Sequence, residues 1–232
     1  VILLKIADRL HNMRTLEAMP RDKQLKIASE TLFLYAPIAH RLGFYVIKSE
    51  MEDLAMKITE PELYRDIENK LEKTRAVRNR FVSQFTHPVK KALADQAIKT
   101  DIYGRTKSIF SIWNKMRNKN IPFEEVYDLF AIRIIIESPP TEEKSICWKV
   151  YSIVTDFYKP NPSRLRDWIS TPKANGYEAL HTTVMSPTGK WVEVQVRTKR
   201  MDEIAEKGYA AHYKYKEGGG SETNLDNWLK KI

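Results

Sequence analysis

One cysteine, Cys147, stands in 232 residues. It rules out an intrachain disulfide and suits a reducing cytoplasm, the expected location. No apolar run is long enough to span a bilayer and no leader-peptide pattern opens the chain, so a membrane partner is not expected. No internal repeat or low-complexity tract is present. The glycine-rich phosphate loop ending in Gly-Lys-Ser/Thr is missing. A good covalent nucleophile is missing as well, because Cys147 has no obvious histidine partner. Near the Asp8 helix face only His11 and His40 are available, too few for a complete histidine-rich metal set. The chain opens at Val1 inside an expected helix, and so reads as a fragment of a longer protein.

What is present is positive charge, +9 at neutral pH, and 42% hydrophobic residues. The hydrophobic content supports a real core in one large domain or two modest ones. The charge suits an anionic partner, although solubility alone would also account for it. Residues 1–97 read as helical throughout. Pro37 should kink or split a helix running from Pro20 to about Gly43, and Pro88 should break the long charged helix that starts at Pro61. After Ile98 strands and helices alternate. Strands are expected at 98–103, 128–137, 165–170, 180–186 and 191–198, and helices at 107–119, 142–158 and 199–216, with another beginning near 224. The domain boundary is expected near residue 97, and Gly218–Gly220 opens a linker.

Several clusters could carry chemistry. In GRTKSIFSIWNKMRNK, Arg105, Lys107, Ser108 and Ser111 fall at or just inside a helix N-terminus, with Lys115 one turn on. Such an end favours phosphate, yet a solvated basic helix has the same pattern. Asp128 opens the most apolar strand, and Glu193 lies in the alternating strand WVEVQVR. Carboxylates at buried strands need a partner or a metal. On neighbouring strands beside a triphosphate they would suit magnesium; separately, one caps a turn and the other meets a lysine. KANGYEALH offers Lys173, Asn175, Tyr177 and His181, either as base and phosphate contacts or as a turn with Tyr177 in the core. Arg133, alone among isoleucines, either stacks on a base or pairs with an acid. Asp8, Asn12 and Thr15 share one helix face.

The motifs KIADRLHNMRTL, ETLFLYAPIAHRLG, GRTKSIFSIWNKM, YDLFAIRIII, PKANGYEALHTTV and EVQVRTKRMDEIAEKGYAAHYKYK, in this order, resemble the RelA/SpoT family of (p)ppGpp synthetases/hydrolases over about residues 1–217. The resemblance implies an α+β chain. Its all-helical N-terminal half (1–97) would be the C-terminal part of an HD-type hydrolase domain. A nucleotidyltransferase-like mixed sheet flanked by helices (98–217) would follow, and 218–232 would begin a linker or the next helix. The implied reaction moves the pyrophosphate of ATP to the 3′-hydroxyl of GDP or GTP, releasing AMP. It implies ATP contacts at Arg105, Lys107, Ser111, Lys115 and Arg133, and a magnesium ligand at Asp128. Glu193 would be a second ligand or the base, Tyr177 the residue stacked on guanine, and Lys173, Asn175, His181 and Gln195 further contacts to the acceptor nucleotide.

Arg164-Leu165-Arg166-Asp167 is similar to the basic motif of bifunctional members, so the parent protein would also hydrolyse ppGpp with Mn²⁺. Asp8 matches its late manganese ligand and Asn12 and Thr15 its substrate side, while the remaining ligands would lie upstream of Val1, leaving hydrolysis absent here. The parent would reach ribosome and tRNA through regions outside this chain. Met201-Asp202 and His212-Tyr213 depart from the common Met-His and His-Trp, and neither is expected to touch the chemistry. The alternative is a basic RNA- or ribosome-binding module with vestigial nucleotide sites; a clamp of the helical half on the synthetase is a third possibility.

Overall fold

A computed structural model describes residues 1–126 and 128–207. They fall into two compact units, and the first is discontinuous in sequence: residues 1–73 together with 108–126. The second holds 74–107 and the segment from 128 to 205. The expected helices beyond 207, the linker at 218–232 and His212-Tyr213 lie outside the described residues.

The first unit is helical. It contains α1 (Ile2–Arg14), α2 (Arg21–Glu30), α3 (Ala36–Arg41), α4 (Tyr45–Thr59), the start of α5 (Pro61–Asp95) and α6 (Ile109–Lys119). Met13, Leu16, Ala28, Ala55 and Ile58 form its buried cluster. Pro37 acts as expected. A π-helical turn, Thr31–Tyr35, separates α2 from α3, and Pro37 sits in the first turn of α3, where its missing N–H costs little.

Pro88 does not break its helix: α5 runs without interruption for 35 residues with Pro88 inside. An internal proline costs about 3 kcal/mol. Phe85, Val89 and Leu93, spaced four apart on one face, are buried in the second unit's core. Each such side chain contributes roughly 1.5–3 kcal/mol on burial, which outweighs the proline. The Tyr158 hydroxyl also donates to the Phe85 carbonyl at 2.7 Å, holding the turn beside Pro88 from outside.

The second unit is built on one five-stranded sheet, composed of β1 (Thr100–Thr106), β2 (Phe130–Ile136), β3 (Arg166–Asp167), β4 (Leu180–Met185) and β5 (Trp191–Thr198). The order is β1-β2-β5-β4-β3. Only β2 and β5 run parallel. The expected strand at 165–170 shrinks to two residues, because Asp167 accepts from the N–H groups of Ile169 and Ser170 and turns the chain out of the ladder. Helix α7 (Glu143–Phe157) and α8 (Lys199–Lys207) as far as Ala205 complete the described unit.

Alternation gives the sheet two different faces. Ile132, Ile134, Ile136, Val192, Val194, Val196, Leu180 and Val184 join Cys147, Val150, Ile153 and Val154 of α7 in the core. Gly104 lies so close to α5 that a β-carbon there would come within 2.8 Å of the Val82 side chain, so the helix closes on β1 only over a glycine. The opposite face carries the polar set. Tyr103 pairs with Arg133, Arg133 with Gln195, Gln195 with His181, and Glu193 with Thr183.

Candidate active site

Just past the end of β1, the Lys107 N–H donates to the Leu129 carbonyl at 2.9 Å, which fixes the start of its side chain next to Asp128. Lys107 Nζ then lies 2.7 Å from Asp128 Oδ2 and 3.5 Å from Glu193 Oε2. Two carboxylates from separate parts of the chain thus converge on one cation. Oxygen donors around a single positive centre are what a hard divalent ion takes, completed by substrate phosphate, so these residues fit such an ion. Gln195 Nε2 donates to the other Glu193 oxygen at 2.7 Å. Burial alone would raise the Glu193 carboxyl. Lys107, the Gln195 amide and His181 outweigh it and hold the group below its ordinary value.

His181 faces the same carboxylate, Nδ1 to Glu193 Oε1 at 3.5 Å, and its Nε2 meets the Tyr177 hydroxyl at 2.7 Å. Burial is the main cause pushing His181 down to about 4; Glu193 opposes it, and Arg197, Lys173 and Arg133 reinforce it. The imidazole is therefore neutral at pH 7, with Nε2 accepting from Tyr177 and Nδ1–H turned to Glu193. This makes a stability prediction with a definite sign. An unfolded histidine titrates near 6.5, so between pH 6.5 and 4 the unfolded chain binds the extra proton. The contribution should be complete above pH 6.5 and decline by up to about 3 kcal/mol as pH falls to about 4. Urea unfolding at pH 7.5 and 4.5 checks it, with His181→Gln expected to flatten the pH dependence. Equal losses in both proteins would contradict it.

Around this network the loop at 173–178 is tightly folded. Gly176 has φ 75°, a conformation open to glycine, and the Asn175 side chain accepts from the Tyr177 N–H at 3.2 Å. Tyr177 is buried, with Trp168 and His181 edge-on to it. Lys173 Nζ sits 4.0 Å from the Trp168 ring centroid and 5.0 Å from that of Tyr177, and burial lowers its pKa. Trp168 had no place in the sequence reading. Its only signal was an aromatic beside Asp167, seven residues before the asparagine–glycine turn. Arg200 ties the loop residue Glu178 to the buried Glu143 of α7, which also accepts from Thr198 Oγ1 at 2.6 Å.

Arg133 resolves toward pairing. Its Nη1 lies 3.6 Å from Asp202 Oδ1 and donates to the Tyr103 hydroxyl at 3.3 Å. Asp202 also meets the almost fully buried Arg197, at 2.5 Å. Asp202 of the Met201-Asp202 pair thus touches Arg133, because the first turn of α8 folds back over the polar face of β2 and β5. A readable signal existed, since an arginine on a half-buried strand needs an acid and Asp202 follows Arg197 by five residues.

Arg105 lies on β1 with Tyr103, exposed, while Ser111 and Lys115 lie on α6, in the other compact unit. The backbone donors at the start of α6 are already used. Asp53 of α4 accepts from Phe110 N at 2.8 Å and from Ile109 N at 3.4 Å, and Ser108 Oγ accepts from Ser111 N. The helix-end argument for phosphate is corrected accordingly: an acid already caps α6. Burial raises the Asp53 pKa even against these two N–H groups. Asp53→Ala should cost about 1 kcal/mol, as loss of a helix cap does. A urea titration would show it, and unchanged stability would rule out a capping role.

Arg164 is exposed in a short turn, and Arg166 Nη1 donates to the carbonyls of Ser163 and Leu165. Asp8 accepts from Asn12 at 3.2 Å, and Thr15 turns its hydroxyl to the His11 carbonyl. No group of three or more His, Cys, Asp or Glu among the described residues could hold a metal on its own. Cys147 is buried and its thiol is pushed up to about 12, chiefly by burial and then by Glu143 and Glu178, so it is no nucleophile. No helix among the described residues is long and apolar enough to cross a membrane.

A family profile described as "Region found in RelA / SpoT proteins" matches residues 104–220, and one described as "HD domain" matches 1–45. A protein named GTP pyrophosphokinase from Myxococcus xanthus is 40% identical over all of this chain and 30% of its own length. The bifunctional (p)ppGpp synthase/hydrolase SpoT of Escherichia coli K12 is 42% identical over all of this chain and 33% of its own length. The chain thus spans about a third of the curated relatives it matches. Among solved structures, small alarmone synthetase 1 of Bacillus subtilis bound to its product pppGpp aligns with TM-score 0.44 at 21% identity, over 68% of this chain and 84% of that one. Small alarmone synthetase 2 of the same organism aligns with TM-score 0.45 at 24% identity, over 72% and 89%.

Proposed function

The chain belongs to the RelA/SpoT family, and on that premise we propose that it transfers the β,γ-pyrophosphoryl group of ATP to the 3′-hydroxyl of GDP or GTP. The 3′-oxygen bonds to Pβ, the bond between Pβ and the α,β-bridging oxygen breaks, AMP leaves, and the hydroxyl proton passes to solvent. The observation that carries this reading is the convergence of Asp128 and Glu193 on Lys107. An RNA-binding surface has no need of it.

Transfer of this kind depends on positioning and charge rather than on a covalent nucleophile. Asp128 and Glu193 would hold Mg²⁺, which supplies charge neutralisation at the transferring phosphates. Glu193, held below its ordinary pKa, is a weak proton acceptor, so electrostatics favour the cation-holding role over the base. Arg105, Lys107, Ser111 and Lys115 would contact ATP, and Arg133 its adenine. Lys173, Asn175, Tyr177, His181 and Gln195 would serve the guanine nucleotide, with the base taking the place that Lys173 Nζ holds over the Tyr177 ring. Asp8, with Asn12 and Thr15 nearby, would belong to a manganese-dependent hydrolase centre of the longer protein, whose other ligands come from outside this chain. Arg164, Arg166 and Asp167 would mark the bifunctional type, and a cytoplasmic setting fits the buried thiol. Contact with ribosome or tRNA would fall to other regions of that protein.

The test is AMP release from ATP and Mg²⁺ in the presence of GDP or GTP, matched by a 3′-pyrophosphorylated guanine nucleotide. AMP release that ignores the guanine nucleotide, or no release at all, would count against the proposal.

A further inference from the structure

Arg133 and Arg197 present two guanidinium groups to the same face of the sheet. β2 and β5 are parallel, and the register places Arg133 opposite Gln195 and Arg197 opposite Ile135, so the two arginines are diagonal neighbours. Arg133 is 4% exposed and Arg197 1%. Cations so placed repel each other and, away from water, require a counter-charge. Both meet the same atom, Asp202 Oδ1, Arg197 at 2.5 Å and Arg133 at 3.6 Å. Both are charge contacts, since Asp202 Oδ1 makes no hydrogen bond among the described residues. The shorter distance makes Arg197 the anchor and leaves Arg133 the more loosely held.

Arg133 Nη1 is also fixed by the Tyr103 hydroxyl. Its edge is therefore held between a phenol on β1 and a carboxylate on α8. A guanidinium held by its edge presents a planar face to an aromatic ring. We propose that Asp202 is a positioning residue for adenine: anchored by Arg197, it sets the plane of Arg133, and so makes the first turn of α8 a determinant of ATP affinity. Neither Asp202 nor Arg197 touches substrate in this account. The inference rests on the reading of Arg133 as the adenine contact.

The experiment compares wild type, Asp202→Asn and Asp202→Glu, measuring KM for ATP and for GDP separately and ATP affinity by equilibrium binding. Asp202→Asn should raise KM for ATP about tenfold with KM for GDP within about twofold, and Asp202→Glu should recover most of the loss. A merely structural role would lower Tm and kcat without separating the two substrates. Asp202→Asn removes a counter-charge from the buried Arg197 and threatens folding, so the double variant Arg197→Met/Asp202→Asn removes that cation and leaves Arg133 as the group under test. It should show the same rise for ATP alone. An unchanged KM for ATP in the variants, or equal changes for both nucleotides, overturns the proposal. If wild type binds ATP but transfers nothing, the reaction assigned above fails while equilibrium binding still decides the role of Asp202. If Arg133→Ala leaves ATP affinity intact, the inference falls with its premise.

Discussion

Glu193→Gln is expected to lower AMP release from ATP and GDP by about a thousandfold while leaving the fold intact. The substitution keeps size and hydrogen-bonding shape and removes one charge. That charge is half of the pair around Lys107, with Glu193 Oε2 at 3.5 Å and Asp128 Oδ2 at 2.7 Å from Nζ. With glutamine, one carboxylate remains to hold a divalent ion, and hard cations bind neutral amides far less well. Stability should change little, because Lys107 keeps its closer partner and a partly buried charge is gone. The measurement is a time course of AMP under saturating nucleotides, together with a melting curve. Activity within tenfold of wild type would remove Glu193 from the centre of the mechanism.

The second large effect is expected from Lys107→Met, with AMP release down about a hundredfold or more. Here a diagnostic shift accompanies the loss. Lys107 is the first influence holding the Glu193 carboxyl down against burial. Without it the pKa must rise, because burial and the nearby Asp128 charge then act unopposed by the ammonium. With Glu193 holding the cation as its carboxylate, as proposed, the acid limb of the pH profile for kcat/KM should move to higher pH. A lysine that merely contacts phosphate would lower the rate and leave the limb where it was. A profile of Lys107→Met between pH 5 and 9 separates the two.

Much of this was legible in the chain itself. The alternation in WVEVQVR fixes which residues of β5 enter the core, and the register carries the same parity to Arg133 and His181. Convergence of Asp128 and Glu193 could not be read, because 65 residues separate them and only the parallel pairing of β2 with β5 joins them. The proline rule failed at Pro88 for a physical reason: local propensity is worth a few kcal/mol, and Phe85, Val89 and Leu93 bury more than that. The helix-end rule at α6 failed because Asp53, an ordinary acid in MEDLAM, lies 56 residues upstream of the N–H group it meets. The contact of Asp202 with Arg133 is set by the chain's path rather than by its place in the motif. The turn into α8 brings it back over Arg133.

The discontinuity of the first unit also bears on how the chain is made. Residues 1–73 leave the synthesis machinery well before 108–126, which bring α6 and the groups that Asp53 caps. At ordinary elongation rates the interval is roughly 3–10 s. For that time α4 presents an acid with no helix end to receive it, while β1 is being laid down in between. The two units are therefore completed in an interlocked order, and a gene fusion or domain exchange cut at residue 97 would pass on α6 without Asp53. Grafting by compositional boundary would separate residues that the fold completes together.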